Sequence, residues 1–134
     1  MKKHGVLNSQ LARVIAGLGH SDKLVVCDSG LPIPRAAELI DLALTKNVPR
    51  FLETVKTILE EAQVERAIVA EEMETVSKAT FDELSCMLDP VSIQKVSHEQ
   101  FKELTRNGGN IAFVRTGEAT PYANVILVAG VTFD

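Results

Sequence analysis

Residues 18–34 read LGHSDKLVVCDSGLPIP, and five of them decide the fold. Lys23-Leu24-Val25-Val26-Cys27 does not alternate polar with apolar residues. Such a run suits a strand covered on both faces, as in a largely parallel sheet between helix layers. A helix stops at Leu18 and Gly19, and His20, Ser21 and Asp22 lead into the strand. Asp28 closes it, and Ser29-Gly30-Leu31-Pro32-Ile33-Pro34 fixes the loop that follows. An imidazole therefore precedes the strand and a carboxylate ends it. Loops at the ends of rigid elements are where α/β folds usually keep their chemistry.

Outward from this stretch, the upstream helix is well signalled. Asn8 is a good N-cap, Leu11, Val14, Ile15 and Leu18 share one face, and Gly19 is the expected stop. Downstream, residues 39–44 form a second apolar run broken by Asp41. Asn47-Val48-Pro49 turns into a helix whose stripe is Phe51, Leu52, Val55, Ile58 and Leu59. Residues 67–70 read as a third strand running into Glu71-Glu72. Phe81, Leu84, Met87 and Leu88 mark a helix stopped by Asp89-Pro90, and a strand over 91–96 follows. Ser97 and Gln100 have the spacing of a capping box. That helix continues through Phe101 and Leu104 to Asn107-Gly108-Gly109. A strand over 111–114, a turn over 117–121 and a last strand over 125–131 complete the chain. Strands alternate with helices, which predicts an α/β fold: three α/β/α layers around a mostly parallel or mixed central sheet, in one domain over 1–134.

Composition narrows the function. The 134 residues are 46% hydrophobic with a net charge of −4, enough for a core and against disorder. There is no basic patch with interleaved aromatics, so no nucleic acid is expected, and no apolar run long enough for a membrane helix. MKKHGVLNSQ lacks the apolar region of a signal peptide. Cys27 and Cys86 form no CxxC pair and read as free thiols in a reducing cytoplasm, Cys27 as a small core residue. The chain has no GxGxxG, P-loop or GxSxG motif. Gly17-Leu18-Gly19 follows a helix rather than a strand. His4, His20 and His98 lack ligand spacing, which argues against a zinc site. On a strand, the adjacent Glu71 and Glu72 would face opposite ways and make no carboxylate pair.

What remains is a set of polar residues at element ends: His20, Asp28, His98, Lys102, Arg115, Glu118, Tyr122 and Asn124. Each has a plain structural reading beside a functional one. His20 can simply pair with a helix dipole, or move protons near neutral pH. His98 and Lys102, one helical turn apart, form either a solvated face or one side of a site. Asp28 can cap the Ser29-Gly30 turn. Tyr122 can cover a sheet edge, and Asn124 can belong to a turn.

Taken together, six stretches resemble the D-ribose pyranase family, which is related to the L-fucose mutarotases. They are VLNSQ at 6–10, LGHSDKLVVCDSGLPIP at 18–34, IDLALTKNVP at 40–49, VERAIVAEE at 64–72, HEQFK at 98–102 and RTGEATPYANVILVAGVTF at 115–133. The resemblance is weak only over about 73–96. DSGLPIP together with PYANVIL favours the ribose branch. The resemblance implies that His20 is the acid/base and that Asp28, His98 and Tyr122-Ala123-Asn124 bind the sugar. Lys102 fits the same site through HEQFK. It further implies D-ribose as ligand, no cofactor or metal, and a cytoplasmic homo-oligomeric ring, a pentamer or decamer, with sites near subunit contacts.

The residue chemistry agrees. Pyranose–furanose exchange opens a hemiacetal and recloses it on another hydroxyl. A proton goes to the ring oxygen, one leaves the anomeric hydroxyl, and closure reverses both. One group titrating near neutrality can serve both steps. Asp28, Asn124 and Lys102 offer mixed donors and acceptors, and Tyr122 a flat face and a hydroxyl. Two alternatives stand beside this: an anomeric mutarotase of fucose or another sugar, and a sugar-binding regulatory protein without turnover. The apolar last strand, close to the chain end, is expected to need cover from a neighbouring copy.

Overall fold

A computed structural model describes residues 1–107 and 109–133. Gly108, part of the expected stop after the helix that follows Ser97, lies outside them, as does Asp134. In chain order come α1 (Ser9–Ala16), β1 (Lys23–Cys27), β2 (Glu38–Asp41), α2 (Phe51–Leu59) and β3 (Val64–Ala70). There follow α3 (Glu71–Val76), α4 (Lys78–Leu88), β4 (Ser92–Val96), α5 (His98–Arg106), β5 (Ile111–Arg115) and β6 (Val125–Ala129).

The strands form one six-stranded sheet in the order β2-β5-β1-β6-β3-β4. Neighbours pair in parallel except at β6, which runs antiparallel to both β1 and β3. The sheet is thus mixed, with two parallel sets joined through one reversed strand.

Residue alternation along β1 shows why it carries no polar residue between Leu24 and Cys27. Leu24 and Val26 point into a core shared with Leu11 and Val14 of α1, Phe51, Val55 and Ile58 of α2, and Leu84 and Leu88 of α4. Val25 and Cys27 point the other way, against Phe101 of α5 and Leu31 of the following loop. The three-layer α/β/α arrangement follows from this two-sided burial. No described helix is long and apolar enough to cross a membrane.

Several boundaries differ from the sequence reading. Helix α1 ends at Ala16, with Gly17 rather than Gly19 as its C-cap; the Gly17 N–H turns back to the Arg13 and Val14 carbonyls. Gly19 is taken up by the next turn, where its N–H donates to Asp22 Oδ2 at 2.8 Å. Glu71 and Glu72 do not continue β3. They open α3, a six-residue helix whose one buried residue is Met73. Residues 42–44 leave the second strand: the Leu42 N–H makes the last ladder bond, to the Arg115 carbonyl, and the Leu44 N–H turns to the Val48 carbonyl within the next loop. The last strand stops at Ala129, where the Gly130 N–H closes the ladder on the carbonyl of Gln63, the residue before β3 begins. All five residues of β6 are buried between β1 and β3, so their cover comes from the same chain rather than from a neighbouring copy.

Candidate functional site

Strands β1, β3, β4 and β5 point the same way, so their carboxyl ends share one sheet edge with the start of β6. Asp28 lies directly after β1, His98 two residues beyond the end of β4, and Tyr122-Ala123-Asn124 directly before β6. The topology thus delivers five of the expected site residues to one edge, the usual place for ligands in α/β sheets.

Asn124 ties the cluster to the sheet. Its Oδ1 accepts the Asp28 N–H at 2.9 Å, and its Nδ2 donates to Asp28 Oδ2 at 3.2 Å. Asp28 Oδ1 also accepts the Gly30 N–H at 2.9 Å, so the turn-capping reading of Asp28 holds as well. Burial pushes the Asp28 carboxyl above its ordinary range, against the opposing effects of the Gly30 N–H, the Asn124 amide and the nearby His98. A carboxyl so placed is a ready acceptor for a sugar hydroxyl.

Tyr122 has φ +62, a left-handed conformation uncommon for a bulky residue. Its carbonyl accepts the Asn124 N–H at 2.8 Å, and Ala123 between them is fully buried. The Tyr122 ring meets the His98 imidazole edge-on, centroids 5.0 Å apart and planes at 79°. The Phe101 ring lies nearly parallel to that of His98, centroids 6.4 Å apart. His98 Nδ1 is buried with no hydrogen-bond partner among the described residues. Native proteins rarely leave such an atom unmet. Lys102, one turn along α5, forms an ion pair with Glu99 at 2.8 Å.

His20 is not part of this cluster. It precedes β1, so the length of the strand, roughly 15 Å, separates it from Asp28. At that opposite edge Ser21 adopts φ +72, and its N–H bonds to the Ala129 carbonyl at 2.9 Å. His20 Nε2 lies 3.0 Å from Glu65 Oε2. The ladder between β3 and β6 slips at Val64 and Arg66, which leaves Glu65 outside the pairing. Bulges of this kind re-aim a side chain. His20 also borders an open pocket of about 360 Å³ with Ile15, Gln63, Val131 and Phe133, the last of these 77% exposed.

Arg115 and Glu118 have structural roles. Arg115 Nη1 grips both oxygens of Asp41, at 3.1 and 3.0 Å, and its Nε donates to the Ser29 carbonyl. The Glu118 side chain, only 4% exposed, plugs the start of α2. Its Oε1 accepts the Phe51 N–H at 2.9 Å and Arg50 Nε at 3.2 Å. Its Oε2 accepts Arg50 Nη2 and the Thr120 hydroxyl, both at 2.7 Å. Burial would raise this carboxyl, but the Arg50 guanidinium, the Phe51 N–H and the Thr120 hydroxyl bring it down to about 2. Cys27 is a core residue as expected, its thiol pushed up to about 12 by burial and by the neighbouring Asp28.

Two glutamates that the sequence reading did not place in the site also touch these groups. Glu65 faces His20, and both oxygens of Glu72 accept the His98 backbone N–H. The VERAIVAEE stretch contains both glutamates, but only the bulge and the start of α3 give them their directions.

Residues 1–132 match the RbsD / FucU transport protein family. The D-ribose pyranase of Coprothermobacter proteolyticus is 51% identical over 133 residues, covering 99% of this chain and 100% of the relative. That of Vibrio campbellii is 50% identical with the same coverage. Bacillus subtilis RbsD, solved in complex with D-ribose, superposes with a TM-score of 0.93 at 46% identity, over 99% of this chain and 100% of that one. A Streptococcus pneumoniae fucose mutarotase, solved with L-fucose, shares the fold at a TM-score of 0.77 and 22% identity, covering 95% of each chain. With the match running almost end to end and the fold and sheet edge in agreement, the chain belongs to the RbsD / FucU family.

Proposed function

We propose that this protein interconverts the pyranose and furanose forms of D-ribose, with the whole chain acting as one domain. The observation that carries the reading is the cluster Asp28, His98, Tyr122 and Asn124 at one sheet edge. It occurs in a chain half identical, along its full length, to D-ribose pyranases.

In this reading Asp28 and Asn124 hold sugar hydroxyls, the Tyr122-Ala123-Asn124 segment frames them, and the His98 imidazole stands beside them against the Tyr122 ring. Lys102 supports that side from the next turn of α5. His20 supplies the proton traffic. His20 takes the proton of the anomeric hydroxyl, the bond between the anomeric carbon and the ring oxygen breaks as the aldehyde forms, and the same proton passes to the ring oxygen. The open aldehyde then recloses on a different hydroxyl with the reverse transfers. Paired to Glu65 through Nε2–H, a neutral His20 ring keeps its lone pair on Nδ1 for this task.

Since His20 lies a strand length from the cluster, the reading requires His20 from one copy to meet Asp28 and His98 of another. The pocket beside His20, with Phe133 exposed on its rim, is the face we assign to that contact. A ring of five or ten copies in the cytoplasm completes the proposal.

Saturation-transfer NMR on the anomeric protons of D-ribose tests it. The protein should speed pyranose–furanose exchange without added metal or nucleotide. Folded protein that leaves the exchange at its rate in buffer overturns the enzyme reading. His20→Ala should lower the exchange by about 10²–10⁴-fold, the scale of general acid–base help, while calorimetry still shows ribose binding. Near-normal exchange in that variant would move the acid/base role to His98.

A further inference from the structure

The corner between α3 and α4 touches the sugar cluster twice. At its start, Glu72 in the first turn of α3 accepts the His98 N–H with Oε1 at 3.1 Å and Oε2 at 3.0 Å. At its end, Ser77 donates its hydroxyl to the Pro121 carbonyl at 2.6 Å, across 44 positions of sequence. The Pro121 carbonyl and the Tyr122 N–H belong to one peptide plane. The Ser77 bond therefore fixes the plane from which Tyr122 enters its left-handed conformation.

Neither bond serves the corner itself. Ser77 occupies the N-cap position of α4, where a serine oxygen ordinarily accepts a helix N–H. Here it makes no such cap, and its hydroxyl is directed to Pro121 instead. Ser77 is buried and lies outside helical geometry, at φ −128 and ψ 53. Helix α5 already has its own cap, the Ser97 hydroxyl on the Gln100 N–H at 3.1 Å. Glu72 adds a second, from a different element, at the residue whose ring faces Tyr122. Between the two contacts Met73 is fully buried, which pins the short helix to the core.

We propose that Glu72 and Ser77 are positioning residues that hold His98 and Tyr122 in their edge-to-face contact and so set one wall of the sugar site. The sugar in this statement rests on the function proposed above. The positioning itself rests on the protein geometry alone, and the experiment separates the two.

Ser77→Ala, Ser77→Thr and Glu72→Gln are compared with the wild type by two readouts: the His98 ring-proton resonances, which sense the Tyr122 ring, and the KM and kcat of ribose exchange. Ser77→Ala should shift the His98 resonances and raise KM roughly 3- to 10-fold, the scale of one lost hydrogen bond, with kcat within about twofold. Ser77→Thr, which keeps the hydroxyl, should restore both. If Ser77→Ala does not fold, Glu72→Gln decides, because it replaces one of the two oxygens that accept the His98 N–H with an amide NH2 that cannot accept. It should move the same resonances and raise KM in the same direction. Unchanged His98 resonances and KM in a folded variant would overturn the positioning role. Wild-type protein that neither binds nor converts ribose overturns the function reading instead, and the resonances alone then decide the positioning.

Discussion

Glu118 shows how a single buried carboxylate can tie a loop to a helix. Its side chain meets Arg50, the Phe51 N–H and Thr120, while its own carbonyl accepts the Ser29 N–H at 3.0 Å beside Asp28. Lowered to about 2, Glu118 contributes stability that is present above its unfolded value near 4.5 and is lost as pH falls toward 2. The shift corresponds to about 3 kcal/mol. Glu118→Gln should therefore lower the unfolding free energy by about that amount at pH 7 and approach the wild type near pH 2, as urea titrations would measure. A variant that keeps the wild-type acid slope would show that another group carries it. Asp28 acts with the opposite sign. Its raised carboxyl contributes stability below its unfolded value, lost as pH rises through the folded one. The burial that makes Asp28 useful to a ligand thus costs the fold at neutral pH. Sequence placed Glu118 among candidate site residues because it sits at an element end. Only the fold shows that it faces inward.

Among the elements, the loop over 44–49 and the turn after β5 meet backbone to backbone. The Gly117 N–H donates to the Pro49 carbonyl at 2.9 Å, and its carbonyl accepts the Asn47 N–H at 2.6 Å. A Cβ at position 117 would meet the Thr45 carbonyl, and would come within 2.6 Å of the Val48 oxygen and 2.7 Å of its nitrogen. Gly117→Ala should therefore destabilise the protein by about 1–3 kcal/mol, read as a lower urea midpoint at unchanged slope. An unchanged midpoint would mean that the loop steps back freely. Most elements were legible from their apolar runs and caps: Asn8 caps α1 through the Leu11 N–H, and Ser97 caps α5 as its spacing predicts. Helix α3 was not, since one buried Met73 among polar residues gives no periodicity to read. The direction of β6 was equally hidden, because a buried apolar strand reads the same whether its neighbours run with it or against it.

For the whole molecule, the separation of His20 from Asp28 and His98 is the decisive geometry. Sequence put the imidazole and the carboxylate at opposite ends of one strand, and the structure keeps them there. What sequence could not supply is the pocket proposed to bring two copies together, since it is lined by residues scattered along the chain, such as Ile15 and Phe133. If the site is shared, His20→Ala and His98→Ala should each be poorly active alone, and co-expression should return part of the activity through contacts that carry neither defect. Mixed oligomers as inactive as the separate variants would place each site within one chain. A monomer by light scattering at micromolar concentration would exclude the shared site outright.

The reversed strand β6 has a consequence for how the protein is made. It is the sole link within the sheet between β2-β5-β1 on one side and β3-β4 on the other. It also follows every other strand in the chain. On the ribosome, β1 and β3 emerge well before the strand that joins them, and each must wait with an unpaired, strongly apolar edge. The nascent chain can gather its helices early, but the sheet closes only after residues 125–129 have left the exit tunnel. Until then, the exposed edges of Leu24 to Cys27 and Ala67 to Ala70 are the surfaces a chaperone would have to shield.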